Sequence, residues 1–292
     1  MKPTLKIFVF FLTIFFVSCS QSITKNIENP FGFCEYNGGL LISNWNQTDY
    51  ALSNSKLTKK NGFISYFKDG KNKILIKKGN LILPTAMAVK DDYLFVADLN
   101  RIVVFDLKNP DNQIDEFVFS QEEILISDLL IVDNTLFIPV RNLNEIYILN
   151  VSDPSNIDRS SFFLYLEIQS PSALLVVDYH LFIATNSYNE KFIDENSIFL
   201  VEDINNPVPQ KLTHHSTLYQ GMTLSADGTQ ILFADYANHG KIGTLTFTTG
   251  EVSYQKISDE NSCFTDLILL DNKLYINDLI NQKVIVQDFV IR

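Results

Sequence analysis

Two aspartates occupy equivalent places in a unit that recurs six times along this 292-residue sequence. Asp128 and Asp266 lie three units apart, so a ring of six units would set them on opposite sides of its axis. Carboxylate oxygens bind hard cations, and such a pair could equally hold a cationic ligand. The alternative is that both carboxylates are simply solvated by water in a central channel. The sequence leaves both interpretations open.

Other signals of catalytic chemistry are sparse. The adjacent His214 and His215 would point to opposite faces of a strand, which makes them a poor chelating pair. No G-x-S-x-G, H-E-x-x-H, C-x-x-C, P-loop or dinucleotide motif occurs. The net charge of −11 also argues against a basic surface for phosphates. We therefore expect no catalytic residue, no metal, no cofactor and no nucleic-acid partner.

Aromatic side chains on predicted loops form a candidate binding face. Two of these loops are long, 45–62 and 186–196, and the first begins with the only Trp of the chain. Aromatic residues on loops above a rigid scaffold are typical of recognition sites. The alternative is that they only cap the ends of strands. The residues expected on this face are Trp45, Tyr50, Tyr188, Phe192, Tyr219, Tyr236 and His239.

These residues are positioned by a repeated strand-rich unit. A short apolar motif recurs at intervals of 42 to 54 residues, as LLISN, LFVAD, LFIPV, LFIAT, ILFAD and LYIND. Turn pairs such as Asp227–Gly228 and Asp271–Asn272 separate the strands. The 23 Phe and 12 Tyr also favour strands. Periods of this length predict an all-β, six-bladed β-propeller of four-stranded antiparallel blades.

The last unit lacks its fourth strand because the chain ends too soon. An open ring would leave two unpaired strand edges, so we expect a strand from the N-terminal region to close it. The available segment is 22–26, with Ile23 and Thr24. We accordingly assign 19–29 to a tether and ring-closing strand and 30–292 to the propeller.

The first 18 residues have the features of an export signal. Lys2 and Lys6 precede an apolar run, 7–17, which is too short to span a bilayer comfortably. Residues 16–19, Phe-Val-Ser-Cys, resemble the lipobox of bacterial lipoproteins. This resemblance implies cleavage after residue 18 and acylation of Cys19, for instance with palmitate. The alternative is an ordinary secretory signal with an incidental cysteine.

Export and acylation have consequences for the mature chain. Loss of Lys2 and Lys6 takes the net charge from −11 to −13. The protein would lie in the bacterial cell envelope, periplasmic or surface-exposed, with its membrane attachment through lipid. Since so few residues separate Cys19 from the ring-closing segment, we expect an edge of the propeller to lie close to the membrane. Cys34 and Cys263 fall in blades that meet at the closure, so they could form a disulfide, or be two inert buried thiols.

The ends of three predicted third strands resemble a known repeat. Segments 104–110, 148–156 and 201–207 each join an apolar run to an Asn-Pro or Asp-Pro turn, and an acidic residue lies between the two in the first and third. This pattern is similar to the LVIVD repeat of bacterial and archaeal surface propellers. The resemblance implies a surface-exposed propeller.

Segments 94–106 and 231–242 resemble blades of NHL and gluconolactonase-type propellers. In the gluconolactonase family, Glu, Asn and Asp beside a proline hold a divalent cation on the axis. The matching positions here contain no carboxylate, so that metal site does not carry over. They are Phe31, Thr85, Ser127, Ser172, Gln220 and Thr265. One residue further on, small residues such as Gly32 and Gly221 would let the inner strands crowd the axis.

Taken together, the sequence predicts a lipid-anchored envelope propeller that acts as a binding module for another envelope protein or an extracellular ligand. The alternative is a propeller hydrolase or lactonase-like enzyme with an axial site. An enzyme requires convergent charged groups at the channel mouth, whereas a binding module requires a contiguous aromatic patch.

Overall fold

The computed structural model describes residues 21–45, 59–121, 124–189, 191–213, 215–259 and 261–289. Six antiparallel sheets of four strands each form a ring, which confirms the predicted all-β, six-bladed propeller. Within the described ranges the helices are two short 3-10 turns, Arg159–Ser161 and Ile193–Glu195. No helix in that part of the chain has the length and apolarity to cross a bilayer.

The first three blades are built from strands that are consecutive along the described part of the chain. Blade 1 consists of β2 (Pro30–Tyr36), β3 (Gly39–Asn44), β4 (Gly62–Lys68) and β5 (Lys71–Leu81). Blade 2 consists of β6 (Pro84–Lys90), β7 (Tyr93–Asp98), β8 (Arg101–Asp106) and β9 (Gln113–Val118). Blade 3 consists of β10 (Leu130–Val132), β11 (Thr135–Val140), β12 (Glu145–Asn150) and β13 (Phe163–Glu167).

The last three blades repeat this order. Blade 4 consists of β14 (Pro171–Val177), β15 (His180–Thr185), β16 (Ile198–Val201) and β17 (Gln210–Lys211). Blade 5 consists of β18 (Tyr219–Leu224), β19 (Gln230–Asp235), β20 (Lys241–Thr246) and β21 (Val252–Lys256). Blade 6 consists of β22 (Phe264–Leu270), β23 (Lys273–Asp278), β24 (Lys283–Asp288) and, from the other end of the chain, β1 (Gln21–Ile23).

The core consists of six apolar clusters, one at each junction between neighbouring blades. The recurring apolar motif forms the second strand of every blade, and its large side chains, such as Phe95 and Phe233, are fully buried in these junctions. Burial of such a side chain contributes about 1.5 to 3 kcal/mol. The same short motif can therefore build every blade, because each blade packs on its neighbour in the same way.

Ring closure by the N-terminal region is also confirmed. β1 pairs antiparallel with β24, with Gln21 opposite Val286 and Ile23 opposite Val284. The strand is shorter than the predicted 22–26 and begins one residue earlier. It ends before Asn26, which has a positive φ of 55° in the turn that leads to blade 1. Ile23 packs against the apolar cluster between blades 6 and 1.

The direction of β1 sets where the chain enters the ring. We call the face where the inner strands β2, β6, β10, β14, β18 and β22 begin the channel-mouth face, and the opposite face the turn face. β24 runs from the channel-mouth face to the turn face, and β1 is antiparallel to it. The chain therefore enters the propeller at Gln21 on the turn face.

Candidate functional site

A narrow cavity of about 210 Å³ follows the axis of the ring. All six inner strands, or the residues just before them, contribute to its wall, and the wall includes both Asp128 and Asp266. The expected crowding at the axis is present. A Cβ at Gly32 would lie 2.3 Å from the backbone oxygen of Thr85, and a Cβ at Gly221 would lie 2.3 Å from Oδ1 of Asp266.

A series of hydroxyl groups, on or near the first two strands of a blade, joins that blade to the first strand of the next blade or to the residues just before it. The hydroxyl-to-carbonyl pairs are Ser43–Thr85 (2.7 Å), Thr85–Ile126 (3.0 Å), Ser127–Pro171 (2.7 Å), Ser172–Tyr219 (2.7 Å) and Thr265–Phe31 (2.9 Å). Four of these donors occupy positions where the gluconolactonase-type blade has metal ligands. Gln220 differs, since its Oε1 accepts a hydrogen bond of 2.8 Å from Nδ2 of Asn186. These side chains therefore fasten blades together.

The two channel aspartates also connect blades. Oδ2 of Asp128 accepts a hydrogen bond from the N–H of Leu174 in the next blade over 2.7 Å, and Oδ1 accepts one from Leu129 over 2.8 Å. In the same way, Oδ2 of Asp266 accepts from Phe33 over 2.8 Å and Oδ1 from Leu267 over 2.8 Å. Each carboxylate is thus engaged by two backbone N–H groups and is not merely solvated. The described residues contain no group of three or more His, Cys, Asp or Glu that could hold a metal ion.

The channel changes the protonation of both carboxyl groups. Burial raises the pKa of Asp128 to about 7, although the two backbone N–H groups favour its ionised form. Burial also raises the pKa of Asp266 well above its usual range, and the negative charge of Asp128 adds to that shift. The axis therefore favours protonated carboxyl groups over a wider pH range than an exposed aspartate would show.

Three side chains from neighbouring blades meet on the channel-mouth face. The guanidinium carbon of Arg141 lies 4.6 Å from the ring centre of Tyr188, and the Tyr236 ring lies 6.0 Å from Tyr188 in a near-perpendicular arrangement. Nη2 of Arg141 also donates a 2.7 Å hydrogen bond to the backbone oxygen of Asn186. We call Arg141, Tyr188 and Tyr236 the mouth cluster. Tyr188 keeps 52% of its surface exposed.

Sequence reasoning identified the two tyrosines of this cluster but missed Arg141. A signal was available, because the residue directly after each second strand lies around the channel mouth. Aligned on the apolar motif, these residues are Trp45, Leu99, Arg141, Asn186, Tyr236 and Leu279. Arg141 is the only charged residue in that set.

Trp45 lies at the mouth of the channel in blade 1. Its ring stacks on Phe31, with centroids 4.4 Å apart and planes inclined by 19°. Phe31 lines the axial cavity, so the pair forms part of the rim of its opening. Trp45 is half-buried there. Tyr50, Cys19 and His214 lie outside the described residues.

The prediction for Tyr219 is wrong. Its side chain is fully buried between blades 4 and 5, where the ring packs 4.9 Å from that of Phe233 and the hydroxyl hydrogen-bonds to Thr213. It therefore cannot touch a ligand on the surface. Phe192 is half-buried in its loop, and the exposed His239 places Nδ1 3.3 Å from the backbone oxygen of Ser262.

The two cysteines of the propeller are free thiols in the structure, so the suggested disulfide is not formed. Cys34 packs against the cluster between blades 1 and 2, away from blade 6. Cys263 precedes β22, and its N–H points to Oδ1 of Asp278 over 3.3 Å. Burial raises the pKa of Cys34 to about 12 and that of Cys263 to about 11, as the alternative of two inert thiols requires.

Comparison with protein-family models and with curated protein sequences gives no match. Solved structures do resemble the chain. One is a protein of unknown function from Bacteroides thetaiotaomicron (TM-score 0.64, 12% identity, 90% of this chain and 70% of that one). The chain is a six-bladed β-propeller. The propeller also resembles virginiamycin B lyase from Staphylococcus aureus (TM-score 0.60, 17% identity, 94% and 88% covered).

A third similar structure is the β-propeller domain of Cps50 (Swd1) from Myceliophteria thermophila. Its TM-score is 0.63 at 10% identity, with 92% of this chain and 99% of that one covered. One neighbour is therefore a lyase, whereas another is described only as a propeller domain. At such identities these likenesses show the fold alone.

Proposed function

We propose that this propeller is a lipid-anchored protein of the cell envelope that binds another envelope protein or an extracellular ligand through its channel-mouth face. The observation that carries the proposal is the mouth cluster, in which Arg141 lies across the exposed ring of Tyr188 beside Tyr236. Tyrosine and arginine are the residue types that dominate binding hot spots. Because Arg141 already fixes Tyr188, a partner would lose little entropy in ordering that ring.

Further apolar groups extend the patch around the mouth. Leu125, before β10, is 41% exposed, and Ile280, after β23, is 55% exposed. With the mouth cluster and the Phe31–Trp45 stack, these side chains come from blades 1, 3, 4, 5 and 6. The mouth cluster supplies a contiguous aromatic contact, and with these apolar neighbours it suits a protein or peptide surface better than a small polar ligand.

The direction of β1 supports the same arrangement. Since the chain enters the ring on the turn face, acylation of Cys19 would place that face towards the membrane. The channel-mouth face would then point into the aqueous space, where a partner could reach it. Because β1 is also the outer strand of blade 6, the part nearest the membrane would be the rim where the turn face meets that outer edge.

A Cys19→Ser variant tests the anchor. We expect it to lose incorporation of labelled palmitate and to leave the membrane fraction once a high-salt wash has removed electrostatic binding. Cys34→Ser is the matched control and should keep both, because its thiol is packed inside the propeller. Incorporation of labelled palmitate by Cys19→Ser, or its retention in the salt-washed membrane fraction, would contradict acylation of Cys19 as the mode of attachment.

Alanine substitution tests the binding face. Tyr188→Ala should reduce recovery of a specifically co-purifying envelope component about 30-fold, the effect of losing a hot-spot side chain. Tyr179→Ala is the control, since Tyr179 is 71% exposed and lies in the hairpin turn of the same blade on the opposite face. Equal recovery with both variants would contradict the proposed face.

An enzyme with an axial site is the weaker alternative. It is favoured by the raised pKa values of Asp128 and Asp266, since shifted carboxyl groups in a cavity are common at active sites. Against it, both oxygens of each carboxylate already accept backbone hydrogen bonds, and the bond to Oδ2 of each one joins two blades. A structural role explains those bonds without any substrate.

A further inference from the structure

A groove of about 690 Å³ lies on the outside of the ring, where blade 6 meets blade 1. β1 and the turn after it form one wall, the β4–β5 hairpin another, and the β22–β23 turn the third. Its charged residues are Lys25, Lys68, Lys71, Lys73, Lys273, Asp69 and Asp271, a local net charge of +3. The overall charge of −11 predicted no basic surface, and here that prediction is wrong.

The positive charge of this groove is not neutralised by neighbouring acids. All five lysines are exposed, and none makes an ion pair with another described residue. Lysines just outside the groove behave differently. Lys77 pairs with Asp111 over 3.1 Å and Lys78 with Glu28 over 3.0 Å. Nζ of Lys68 does donate a 2.6 Å hydrogen bond to the backbone oxygen of Asn37, but a neutral acceptor leaves its charge in place. The groove thus presents positive charges that no ion pair among the described residues neutralises.

Protection of a sheet edge does not account for this arrangement. β5 is the outermost strand of blade 1, and lysines on such a strand discourage pairing with other chains. That argument covers Lys71 and Lys73. It does not explain Lys25, Lys68 and Lys273. These lie after β1, on β4 and on β23, yet they line the same groove.

The position of the groove indicates what it binds. Gln21, the first residue of β1, is part of its wall, so the groove lies two residues from Cys19 along the chain. We infer that the lysine groove binds the headgroups of anionic phospholipids in the membrane that holds the acylated Cys19. This inference rests on the proposed lipid anchor. One lipid chain with a basic patch is a known combination for stable attachment.

The groove would also orient the propeller. Attraction between lysines and an anionic surface acts only within a Debye length, about 8 to 10 Å at physiological salt, so the groove must lie against the headgroups. The rest of the chain is acidic overall and is repelled by the same surface. The two effects together would hold the blade 1–blade 6 edge on the membrane.

Vesicle partitioning tests the groove without the lipid anchor. The chain from residue 19 to residue 292, carrying Cys19→Ser, contains every strand of the closed ring because β1 begins at Gln21. It is mixed with vesicles of phosphatidylcholine alone, or of phosphatidylcholine and phosphatidylglycerol in equal parts. We expect binding to the anionic vesicles only, and its loss at high salt.

Two triple variants with the same change in charge identify the site. Lys71→Gln, Lys73→Gln and Lys273→Gln remove charge from the groove, whereas Lys211→Gln, Lys241→Gln and Lys256→Gln remove exposed lysines from blades 4 and 5. The groove triple should lower partitioning about a hundredfold, at about fivefold per lysine, and the control triple should not. Thermal unfolding checks that both triple variants are folded. If the groove triple does not fold, the single variant Lys73→Gln replaces it, with an expected drop in partitioning of about fivefold.

Three results would overturn the inference. They are equal partitioning into neutral and anionic vesicles, equal losses with both triples, and displacement by inorganic phosphate but not by chloride at the same ionic strength. The last result would identify a soluble phosphate ligand instead. Because this chain carries no lipid, failure here leaves the palmitate test of Cys19 untouched, and failure of that test leaves this measurement interpretable.

Discussion

The Oδ2 atom of Asp266 in the last blade accepts a hydrogen bond from the backbone N–H of Phe33 in the first blade, over 2.8 Å. Three blades away, Asp128 accepts the equivalent bond from Leu174 over 2.7 Å. The ring is therefore closed by two contacts, one near the axis and one at the outer edge. Asp266 joins the ends of the chain at the axis, and β1 joins them at the outer edge.

The outer closure can be tested at Ile23. Ile23→Asp places a charge against the apolar cluster between blades 6 and 1, so we expect the free energy of unfolding to fall by about 1 to 3 kcal/mol. Ser22→Asp, on the exposed side of the same strand, should change it by less than about 0.5 kcal/mol. Urea unfolding measures both. Equal stability of the two variants would mean that β1 does not support the ring.

The crowded axis gives a prediction at Gly221. In Gly221→Ala the new Cβ would lie 2.7 Å from Cα of Asp266 as well as 2.3 Å from its Oδ1, so backbone must move. We expect the free energy of unfolding to fall by about 1 to 3 kcal/mol more than in the control Gly228→Ala. Gly228 also has a positive φ, 72°, but has open space around it. Equal losses of stability in the two variants, measured by chemical denaturation, would show that glycine is required by the backbone conformation and not by crowding.

The blade-to-blade hydroxyl bonds can be tested at Thr265. Thr265→Val keeps the shape of the side chain but removes the donor to the backbone oxygen of Phe31. The free energy of unfolding should fall by about 1 to 2 kcal/mol, since a part-buried carbonyl loses a hydrogen-bond partner. Thr24→Val, at an exposed position, should be close to neutral. A neutral Thr265→Val in thermal and urea unfolding would argue against this bond as a source of stability.

The channel carboxyl groups predict a pH dependence of stability. Asp128 has a pKa of about 7 in the folded chain against an ordinary value of 3.8, so between these pH values the folded state binds more protons than the unfolded state. The free energy of unfolding therefore falls as pH rises from about 4 to about 7. The raised pKa of Asp266 acts in the same direction.

The double variant Asp128→Asn/Asp266→Asn removes this titration. Its stability relative to the natural chain should therefore increase steadily as pH rises from about 4 to about 7. Urea unfolding at a series of pH values measures this difference. A difference that does not depend on pH would contradict the raised pKa values.

The fold could be predicted because every blade buries the same apolar second strand, so the motif recurs in the sequence once per blade. The fate of individual side chains could not. The strand register shifts at the start of β18, between Gln220 and Met222, and similar shifts occur in β2, β6, β14 and β22. Such an irregularity moves side chains to the other face of a strand. Tyr219 was expected on a loop at the channel mouth, but it is the first residue of β18 and its ring packs into the cluster between blades 4 and 5.

Long-range assembly explains the other gaps. The lysine groove combines residue 25, the hairpin at 68–73 and residue 273, so neither composition nor local sequence reveals it. The role of Arg141 could not be predicted from the sequence because it depends on contact with Tyr188, which lies on the next blade. The sequence left open whether the two cysteines meet, because their blades are neighbours, but Cys34 packs towards blade 2.

The central claim is that the channel-mouth face binds a partner, and photo-crosslinking in living cells tests it most directly. A photoreactive phenylalanine analogue replaces Tyr188 in one variant and Tyr179 in the other, since both are exposed tyrosines of blade 4 on opposite faces. Illumination should give a discrete crosslinked product from position 188 and none from position 179. No product from position 188, or the same product from both positions, would contradict the claim.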